Sequence, residues 1–248
     1  MSVKKQPSFI LALRSGFFWI GFALSTVFIA TIALLTFFLP FKYRYWLISS
    51  WTYFNLWWLK ISCGIKVNIV GQENITVDNG IVFSKHQSTW ETLALKILFN
   101  PETWVLKKEL LSVPFFGWAA RLVEPIALDR KARRKAVDQL IEQGRDRLEK
   151  GRWVIIFPEG TRIPPGQKGK YKIGGAALAS ATGFPVIPVA HNAGEYWPRH
   201  GFIKYPGTIQ LRIGKPIGSA DKTAQEIMQL AESWIETQMD SITHSFLN

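Results

Sequence analysis

The chain divides into two regions that differ in their pattern of apolar residues. Residues 16–39 form a run of 24 residues without a charge, and residues 45–59 form a shorter run that is dense in Trp and Tyr. About 20 apolar residues suffice to cross the hydrocarbon of a bilayer, whereas Trp and Tyr rings prefer its headgroup boundary. The pattern predicts an apolar helix over 16–39 and an interfacial helix over 45–59, so that residues 1–64 form a membrane anchor.

Two arrangements of this anchor fit the pattern. Either the first helix spans the membrane and the second lies at its surface, or the two form a hairpin that dips into one leaflet. The flanking charges do not separate the two arrangements, because residues 1–60 contain six basic residues and no acidic one. A basic segment of this kind is attracted to an anionic membrane surface in either arrangement.

From residue 65 onward, short apolar runs alternate with helix-like patterns. This alternation is typical of an α/β domain with a largely parallel or mixed sheet flanked by helices. The predicted fold is therefore an α/β domain over 65–248, preceded by the N-terminal membrane-anchoring helices. The predicted helices cover 88–99, 131–150, 171–182 and 221–246, and the predicted strands cover 67–70, 81–83, 104–106, 125–128, 153–157, 186–189 and 209–213.

The charge and composition narrow the class of partner. A net charge of +12 favours nucleic acid, anionic lipid or phosphorylated substrates. We expect no nucleic acid, because the aromatic residues cluster in the apolar N-terminal region rather than interleaving with lysines on a strand. The single cysteine, Cys63, excludes an internal disulfide and is predicted to be a small buried residue. The four histidines lack the spacing of a zinc site, so no metal is expected.

Polar side chains follow five of the predicted strands, at the point where each strand ends. Ligands of parallel α/β sheets bind at the carboxyl ends of the strands. If the strands are parallel neighbours, two histidines, three carboxylates and several cations meet at one edge, which suits a substrate with a phosphate and a proton to be removed. In chain order, these residues are His86 and Glu91, Lys107 and Lys108, Asp129 and Arg130, Glu159 and Arg162, and His191 and Asn192.

The spacing of His86 and Glu91 requires a particular geometry. Five residues do not place two side chains on one helical face, so if the two residues act together, His86 must precede the helix while the carboxylate folds back from its first turn. A carboxylate on one ring nitrogen fixes the tautomer, and the other nitrogen can then take a proton from a hydroxyl. Residues 88–91 also read S-x-x-E, a capping box in which Glu91 satisfies only the start of the helix.

Two further segments carry candidate binding residues. In "FPEGTR" (157–162), a tight turn follows an apolar strand, and Arg162 offers a planar fork suited to phosphate. In "LKKELLSVPFFGW" (106–118), two lysines precede an apolar segment that either lines an acyl groove, rests on lipid or forms a buried helix. The apolar side chains concerned are Val113, Phe115, Phe116 and Trp118. The chain has no G-x-S-x-G nucleophile and no G-x-x-x-x-G-K-[ST] phosphate loop.

Four stretches, in this order and at these separations, resemble the four blocks of the 1-acylglycerol-3-phosphate acyltransferase family, the lysophosphatidate acyltransferases. They are "KHQSTWE", "KKELLSVPFFGW", "FPEGTR" and "VIPVAHNAG". The resemblance covers roughly residues 65–215, and a membrane-anchoring N-terminus is also typical of the family. The usual first block is H-x-x-x-x-D, and here Glu91 replaces the Asp with one additional methylene.

The resemblance implies a role for each matching residue. His86 would act as the general base on the acceptor hydroxyl, with Glu91 as its orienter. Val186, Ile187 and Pro188 match the mainly apolar fourth block, which is associated with the acyl donor, and His191 is expected to be structural. The residues implied to bind the acceptor are Lys107, Lys108, Arg130, Glu159, Gly160, Thr161 and Arg162.

The implied reaction uses no cofactor, no metal and no covalent intermediate. His86 takes the proton from the free hydroxyl of a lysophospholipid as that oxygen attacks an acyl thioester, with acyl-CoA or acyl carrier protein as co-substrate. Since these donors are cytosolic, we expect an enzyme of the cytoplasmic membrane whose catalytic domain faces the cytosol. Glycerol-3-phosphate or another lysolipid remains open as the acceptor, as does a non-catalytic, membrane-anchored lipid-binding role.

Overall fold

The structure is a computed structural model that describes residues 8–129 and 134–243. Its regular elements alternate between helices and strands after an N-terminal pair of helices. In chain order they are α1 (Phe9–Leu35), α2 (Phe41–Cys63), β1 (Ile65–Val70), β2 (Ile81–Ser84), α3 (Trp90–Leu98), β3 (Glu102–Lys107), α4 (Phe116–Arg121), β4 (Ile126–Leu128), α5 (Arg134–Glu149), β5 (Trp153–Ile156), α6 (Gly174–Thr182), β6 (Val186–His191), β7 (Gly207–Ile213) and α7 (Ala224–Thr243).

The seven strands form one mixed sheet in the order β1-β7-β6-β2-β5-β3-β4. The five strands from β6 to β4 are parallel neighbours, whereas β7 pairs antiparallel with β6 and parallel with β1. All seven predicted strands are confirmed. The central ones were recognisable because strands buried on both faces read as continuous apolar runs, such as Trp153–Ile156. The parallel arrangement brings the carboxyl ends of β2, β3, β4, β5 and β6 to one edge.

Helices cover both faces of the sheet. Successive side chains of a strand point to opposite faces, so Val82 of β2 packs with residues of α1, α2 and α3. Its neighbours Ile81 and Phe83 pack on the other face, with α5, α6 and α7. Both faces of the sheet are therefore covered by helices. A ligand can then reach the sheet only at its edge, where the strands end in polar residues.

The N-terminal helices α1 and α2 form a hairpin that packs along the α/β domain. Asn55 donates to Ser25 Oγ at 3.2 Å across the hairpin, and Arg14 Nε donates to the carbonyl of Ser62 at 2.7 Å near its open end. The buried Phe18 of α1 belongs to the same apolar cluster as the central strands. Helix α2 ends at Cys63, and the hairpin and the residues from 65 onward share a core.

An aromatic cluster fastens α1 to the loop between β6 and β7. Trp197 meets the rings of Phe18 and Trp19 edge to face, with centroids 5.1 and 5.9 Å apart. The buried Lys204 places its ammonium 4.2 Å from the centroid of the Trp19 ring. Burial lowers the pKa of Lys204 to about 8. Near the other end of α1, Ala30 and Ala33 pack on Ala119 of α4, so α1 contacts the domain along most of its length.

The helix bounds differ from the prediction for identifiable reasons. Helix α1 begins at Phe9 rather than residue 16, because Arg14 is accommodated by the Ser62 carbonyl and Ser8 Oγ accepts a hydrogen bond from the Leu11 N–H at the helix start. Helix α2 runs from Phe41 to Cys63 and ends at Gly64, whose φ of 69° supplies a left-handed cap. Cys63 is buried, as predicted.

Candidate active site

The carboxyl edge of the parallel strands brings together residues that are far apart in sequence. His86 lies two residues beyond the end of β2, Lys107 ends β3, and Glu159 to Arg162 follow β5. His191 is the last residue of β6, next to β2 in the sheet. The expectation that these strand ends meet at one edge is confirmed for the described residues. Arg130 lies outside them.

His86 and Glu91 form a hydrogen-bonded pair. His86 Nδ1 lies 2.9 Å from Glu91 Oε1, the histidine side chain is 15% exposed and the carboxylate is fully buried. The ring also stacks on Phe157, with centroids 4.1 Å apart and planes inclined by 15°. An ionised carboxylate only accepts hydrogen bonds, so Nδ1 carries the proton and Nε2 is the basic nitrogen. The carboxylate folds back from α3, as the spacing of five residues requires.

Glu91 fills both of the roles that its sequence context allows. The same Oε1 atom accepts hydrogen bonds from the backbone N–H groups of Gln87 and Ser88, each at 2.8 Å. Burial alone would raise the pKa of this carboxyl group, but its hydrogen bonds with His86 and with the backbone N–H of Ser88 lower it, and the pKa lies below its ordinary value. Glu91 is therefore an ionised residue that ties the turn before α3 to the first turn of the helix and orients His86.

A cavity of about 580 Å³ opens beside His86. On one side it is lined by residues at the carboxyl edge of the parallel strands, including His86 and the turn from Gly160 to Arg162. On the other side it reaches the hairpin, where Phe22, Thr26 and Trp51 form its wall. A smaller apolar pocket of about 70 Å³ adjoins it, because Thr26 and Trp51 line both. The site therefore runs from a polar strand edge to an apolar helical surface.

The charged lining of this cavity is basic. Its cations are Lys107, Arg162 and Arg199, and no Asp or Glu among the described residues contributes to the lining. Arg162 Nε is a buried atom without a hydrogen-bond partner in the part of the chain that the structure describes. A guanidinium with a spare donor in a basic cavity is suited to an anionic oxygen.

The structure separates the predicted binding residues into three groups. Lys107, Gly160, Thr161 and Arg162 line the cavity, whereas Lys108 is exposed at the start of a short 3-10 helix and is not part of the lining. Glu159 does not reach the cavity either, since its side chain is fully buried beneath the turn. In the fourth block, Val186, Ile187 and Pro188 lie inside β6, buried in the centre of the sheet and away from the lining.

His191 lies beneath the site and contacts only the backbone through its ring nitrogens, which fits the structural role expected of it. It is fully buried, its Nε2 donates to the carbonyl of Lys85 at 2.8 Å, and its Nδ1 accepts from the Ala193 N–H at 3.3 Å. Burial lowers the pKa of His191, although Glu91 and the Lys85 carbonyl oppose that shift. The neutral ring therefore braces the backbone next to His86.

Several residues of the site were not found from the sequence. Arg199 and His200 come from the loop between β6 and β7, and Phe22, Thr26 and Trp51 come from the hairpin. Lys172 approaches the turn closely, since a Cβ at Gly160 would lie 2.6 Å from its Nζ. No local motif marks these positions, and only the tertiary fold brings the first five to the cavity and Lys172 to the turn at Gly160.

Comparison with known proteins agrees with this geometry. A sequence model described as Acyltransferase matches residues 66–192. The chain belongs to the acyltransferase family. It is 46% identical over 239 residues to a 1-acyl-sn-glycerol-3-phosphate acyltransferase of Pseudomonas aeruginosa, an alignment that covers 95% of this chain and 90% of that protein. The resemblance drawn from the four motifs is thereby confirmed.

More distant relatives place this acyltransferase in the same group. A 1-acyl-sn-glycerol-3-phosphate acyltransferase of Saccharomyces cerevisiae is 32% identical over 190 residues, which cover 74% of this chain and 62% of that protein. The crystal structure of the 1-acyl-sn-glycerophosphate acyltransferase PlsC from Thermotoga maritima superposes with a TM-score of 0.77 at 26% identity. It covers 93% of this chain and 95% of that chain, so the similarity includes the N-terminal hairpin.

The buried neutral His191 should make the acyltransferase less stable in mild acid. Its pKa is lowered on folding, so the unfolded chain binds more protons below a pH of about 6.5, and the free energy of unfolding falls as the pH falls. One proton contributes a slope of at most about 1.4 kcal/mol per pH unit. Denaturant unfolding in detergent, between pH of about 7.5 and 5.5, should show a shallower slope for His191→Gln than for the wild type.

The matched control for this measurement is His200→Gln, which replaces an exposed histidine and should keep the wild-type slope. The assignment is wrong if His191→Gln retains the full dependence on pH.

Proposed function

We propose that this acyltransferase moves a fatty acyl group from an acyl thioester to the free sn-2 hydroxyl of 1-acylglycerol-3-phosphate, giving phosphatidic acid for phospholipid biosynthesis. The observation that supports this most directly is the His86–Glu91 pair at the mouth of a basic cavity that extends to an apolar hairpin. The names of the relatives in Pseudomonas aeruginosa and Saccharomyces cerevisiae support the same reaction.

The proposed chemical step is general base catalysis by His86. Glu91 holds Nδ1–H, so Nε2 accepts the proton of the acceptor hydroxyl while that oxygen attacks the thioester carbonyl. The C–O bond forms, the C–S bond breaks, and the thiolate leaves with the proton that His86 has taken. Glu91 stabilises the imidazolium that exists between the two proton transfers, because its ionised carboxylate lies 2.9 Å from Nδ1.

The lining of the cavity favours a lysophospholipid over glycerol-3-phosphate as the acceptor. Arg162, Lys107 and Arg199 can surround a phosphate, and Arg162 has a donor to spare. The part of the cavity next to Phe22 and Trp51 is apolar and can hold an acyl chain, and a lysophospholipid brings such a chain in addition to that of the thioester, whereas glycerol-3-phosphate does not. An amphiphile with a phosphate headgroup matches both ends.

The hairpin is proposed as the membrane anchor, embedded in one leaflet. Helix α1 is the one described helix that is long and apolar enough to cross a bilayer. It packs on the domain through Phe18 in its first half and through Ala33 near its C-terminal end, which favours a hairpin that lies along the domain over a helix that leaves it to span the membrane. Its other side exposes large apolar residues, among them Phe17, Ile20 and Leu24.

The segment after β3 continues this apolar surface. Leu110, Val113, Phe115 and Trp118 are about two-fifths exposed, so the alternative in which this segment rests on lipid fits them better than a buried groove. Phe116 contributes to the cavity as well. Because acyl-CoA and acyl carrier protein are both cytosolic, the catalytic edge would face the cytosol from the cytoplasmic membrane.

Removal of the base should remove nearly all turnover. Base catalysis contributes about 10²–10⁴-fold, so His86→Ala should lower kcat by that factor while thermal unfolding remains close to that of the wild type. Detergent-solubilised wild type and variant would each be given a panel of lysolipids and glycerol-3-phosphate, with acyl-CoA and with acyl carrier protein. Phosphatidic acid from lysophosphatidic acid, formed by the wild type alone, is the expected product.

Other results of this assay have distinct meanings. Turnover of a different acceptor keeps the mechanism and changes the substrate, and a folded His86→Ala variant with normal turnover would falsify the role of the base. A folded wild-type protein without turnover on any acceptor would contradict the proposed reaction.

Arg162→Ala should lower the activity of the enzyme toward acceptors that carry a phosphate headgroup. The loss of a charge-assisted hydrogen bond should lower kcat/KM for lysophosphatidic acid by about 10- to 100-fold, and much less for the neutral acceptor monoacylglycerol. Arg145→Ala is the matched control, because that guanidinium bonds to the carbonyl of Ala181 and does not line the cavity. An equal loss for both acceptors would show that Arg162 does not contact the phosphate.

Membrane binding should depend on the exposed side of α1. Leu24→Glu introduces a charge on the exposed side of α1, where the hairpin would meet lipid. Loss of the lipid contact of one Leu side chain alone weakens the free energy of membrane binding by about 2 kcal/mol. Binding to anionic vesicles should therefore fall at least about 10-fold. Leu230→Glu changes an exposed leucine of α7 and should leave binding unchanged. Vesicle flotation measures both, and equal binding of the two variants would exclude α1 as the contact surface.

A further inference from the structure

A buried cation lies directly before His86 and is not used by the mechanism above. Lys85 is 1% exposed, yet its Nζ lies 2.7 Å from Glu159 Oε1 and 2.9 Å from Glu236 Oε1. The Nζ also approaches the carbonyl of Gln167 at 3.5 Å. Burial of an ammonium is unfavourable unless it is paired and hydrogen-bonded, so these two carboxylates are what allows a lysine at this position.

The first carboxylate connects the ammonium to the backbone of His86. Glu159 Oε2 accepts the His86 N–H at 3.0 Å, and Glu159 Oε1 accepts the Gly169 N–H at 3.2 Å. The carbonyl of His86 accepts from the Ile163 N–H at 2.8 Å. Both peptide groups of His86 are thus tied to the segment that follows β5, and Lys85 fixes the carboxylate that makes one of these ties.

The second carboxylate comes from the C-terminal helix. Glu236 lies on α7, and its Oε1 also accepts the hydroxyl hydrogen of Tyr171 at 2.8 Å. The acyltransferase sequence model ends at residue 192, so α7 lies outside the matched range. A helix beyond that range therefore neutralises a charge one residue away from the proposed base.

We infer that Lys85 is a positioning residue for His86 and that Glu236 of α7 completes the charge pairing that holds it. This inference rests on the proposed role of His86 as base. None of Lys85, Glu159 and Glu236 lines the cavity, so the three act on the orientation of His86 and not on the substrate. A displacement of about 1 Å at a catalytic group can cost about 10²-fold in rate, which gives the network a functional consequence.

The first test compares two glutamates of α7. Glu236→Gln removes the buried contact, and kcat should fall about 10-fold while KM for the lysolipid is unchanged. Glu232→Gln is the matched control, because Glu232 lies one turn earlier and pairs with the exposed Lys168 at 2.9 Å. An exposed pair contributes little, so kcat of Glu232→Gln should stay within about twofold of the wild type.

The second test uses charge compensation. Lys85→Met leaves two carboxylates without their cation, and kcat should fall about 100-fold. If the two residues act as one unit, Lys85→Met combined with Glu236→Gln should recover about 10-fold of that loss. Losses that multiply would show that the residues act independently, and the inference would be wrong.

Hydrogen exchange supplies a readout that does not depend on turnover. The amides of His86 and Gly169 should exchange about 10-fold faster in Glu236→Gln than in Glu232→Gln, because the carboxylate that accepts both is less firmly held. Mass spectrometry of the peptides that contain these amides measures this even for a variant of low activity. Unchanged exchange, or a change in KM alone, would overturn the inference.

Failure of the proposed reaction would be visible separately. A wild-type protein that turns over no lysolipid contradicts the proposed function, and the exchange data still decide whether Lys85 and Glu236 hold the segment of His86.

Discussion

A single oxygen atom, Oε1 of Glu91, accepts hydrogen bonds from the His86 ring and from two consecutive backbone N–H groups. This atom joins the end of β2 to the start of α3, so the path of the chain and the orientation of the imidazole are set together. The buried N–H groups of the turn before α3 need an acceptor, and a histidine that acts as a base needs one at Nδ1. Both needs are met by one buried carboxylate, whose lowered pKa keeps it ionised.

The parallel strands give this pair its surroundings. Because β2 lies between β5 and β6, the turn after β5 and the end of β6 are the nearest neighbours of His86. The turn supplies Arg162 to the cavity and Glu159 to the backbone of His86, so adjacent residues of one motif face in different directions. The end of β6 supplies the neutral His191, which braces the Lys85 carbonyl. Residues that line the cavity and residues that hold the backbone of His86 therefore alternate along the sequence.

Parts of this arrangement could be read from the sequence, and others could not. The seven strands were predicted from their short apolar runs, whereas the short helix α4 was only one of three alternatives for residues 106–118, because its six residues follow a Pro in a mixed apolar segment. The spacing of His86 and Glu91 gave the geometry that their contact would need, and the family resemblance implied the contact itself. Arg199 and Glu236 could not be found in this way, since each joins the site through a tertiary contact with no local pattern.

Some residues of the family blocks do not line the cavity, although the resemblance implied that they contact a substrate. A block of sequence similarity records residues that must be retained for any reason, including packing. Val186, Ile187 and Pro188 lie in a strand flanked on both sides by others, so their burial in the sheet accounts for them without a ligand. The fully buried Glu159 is likewise accounted for by Lys85 and the backbone of His86.

The position of the hairpin changes how the anchor itself should be understood. Phe18 and Leu59 share a buried cluster with the central strands, and Phe22 and Trp51 form one wall of the cavity. An anchor that only tethered the domain would need neither contact. The hairpin is therefore part of the candidate site as well as the proposed anchor. If it is embedded in lipid as we propose, the acyl chain of a lipid acceptor could stay in an apolar environment while its headgroup reaches His86.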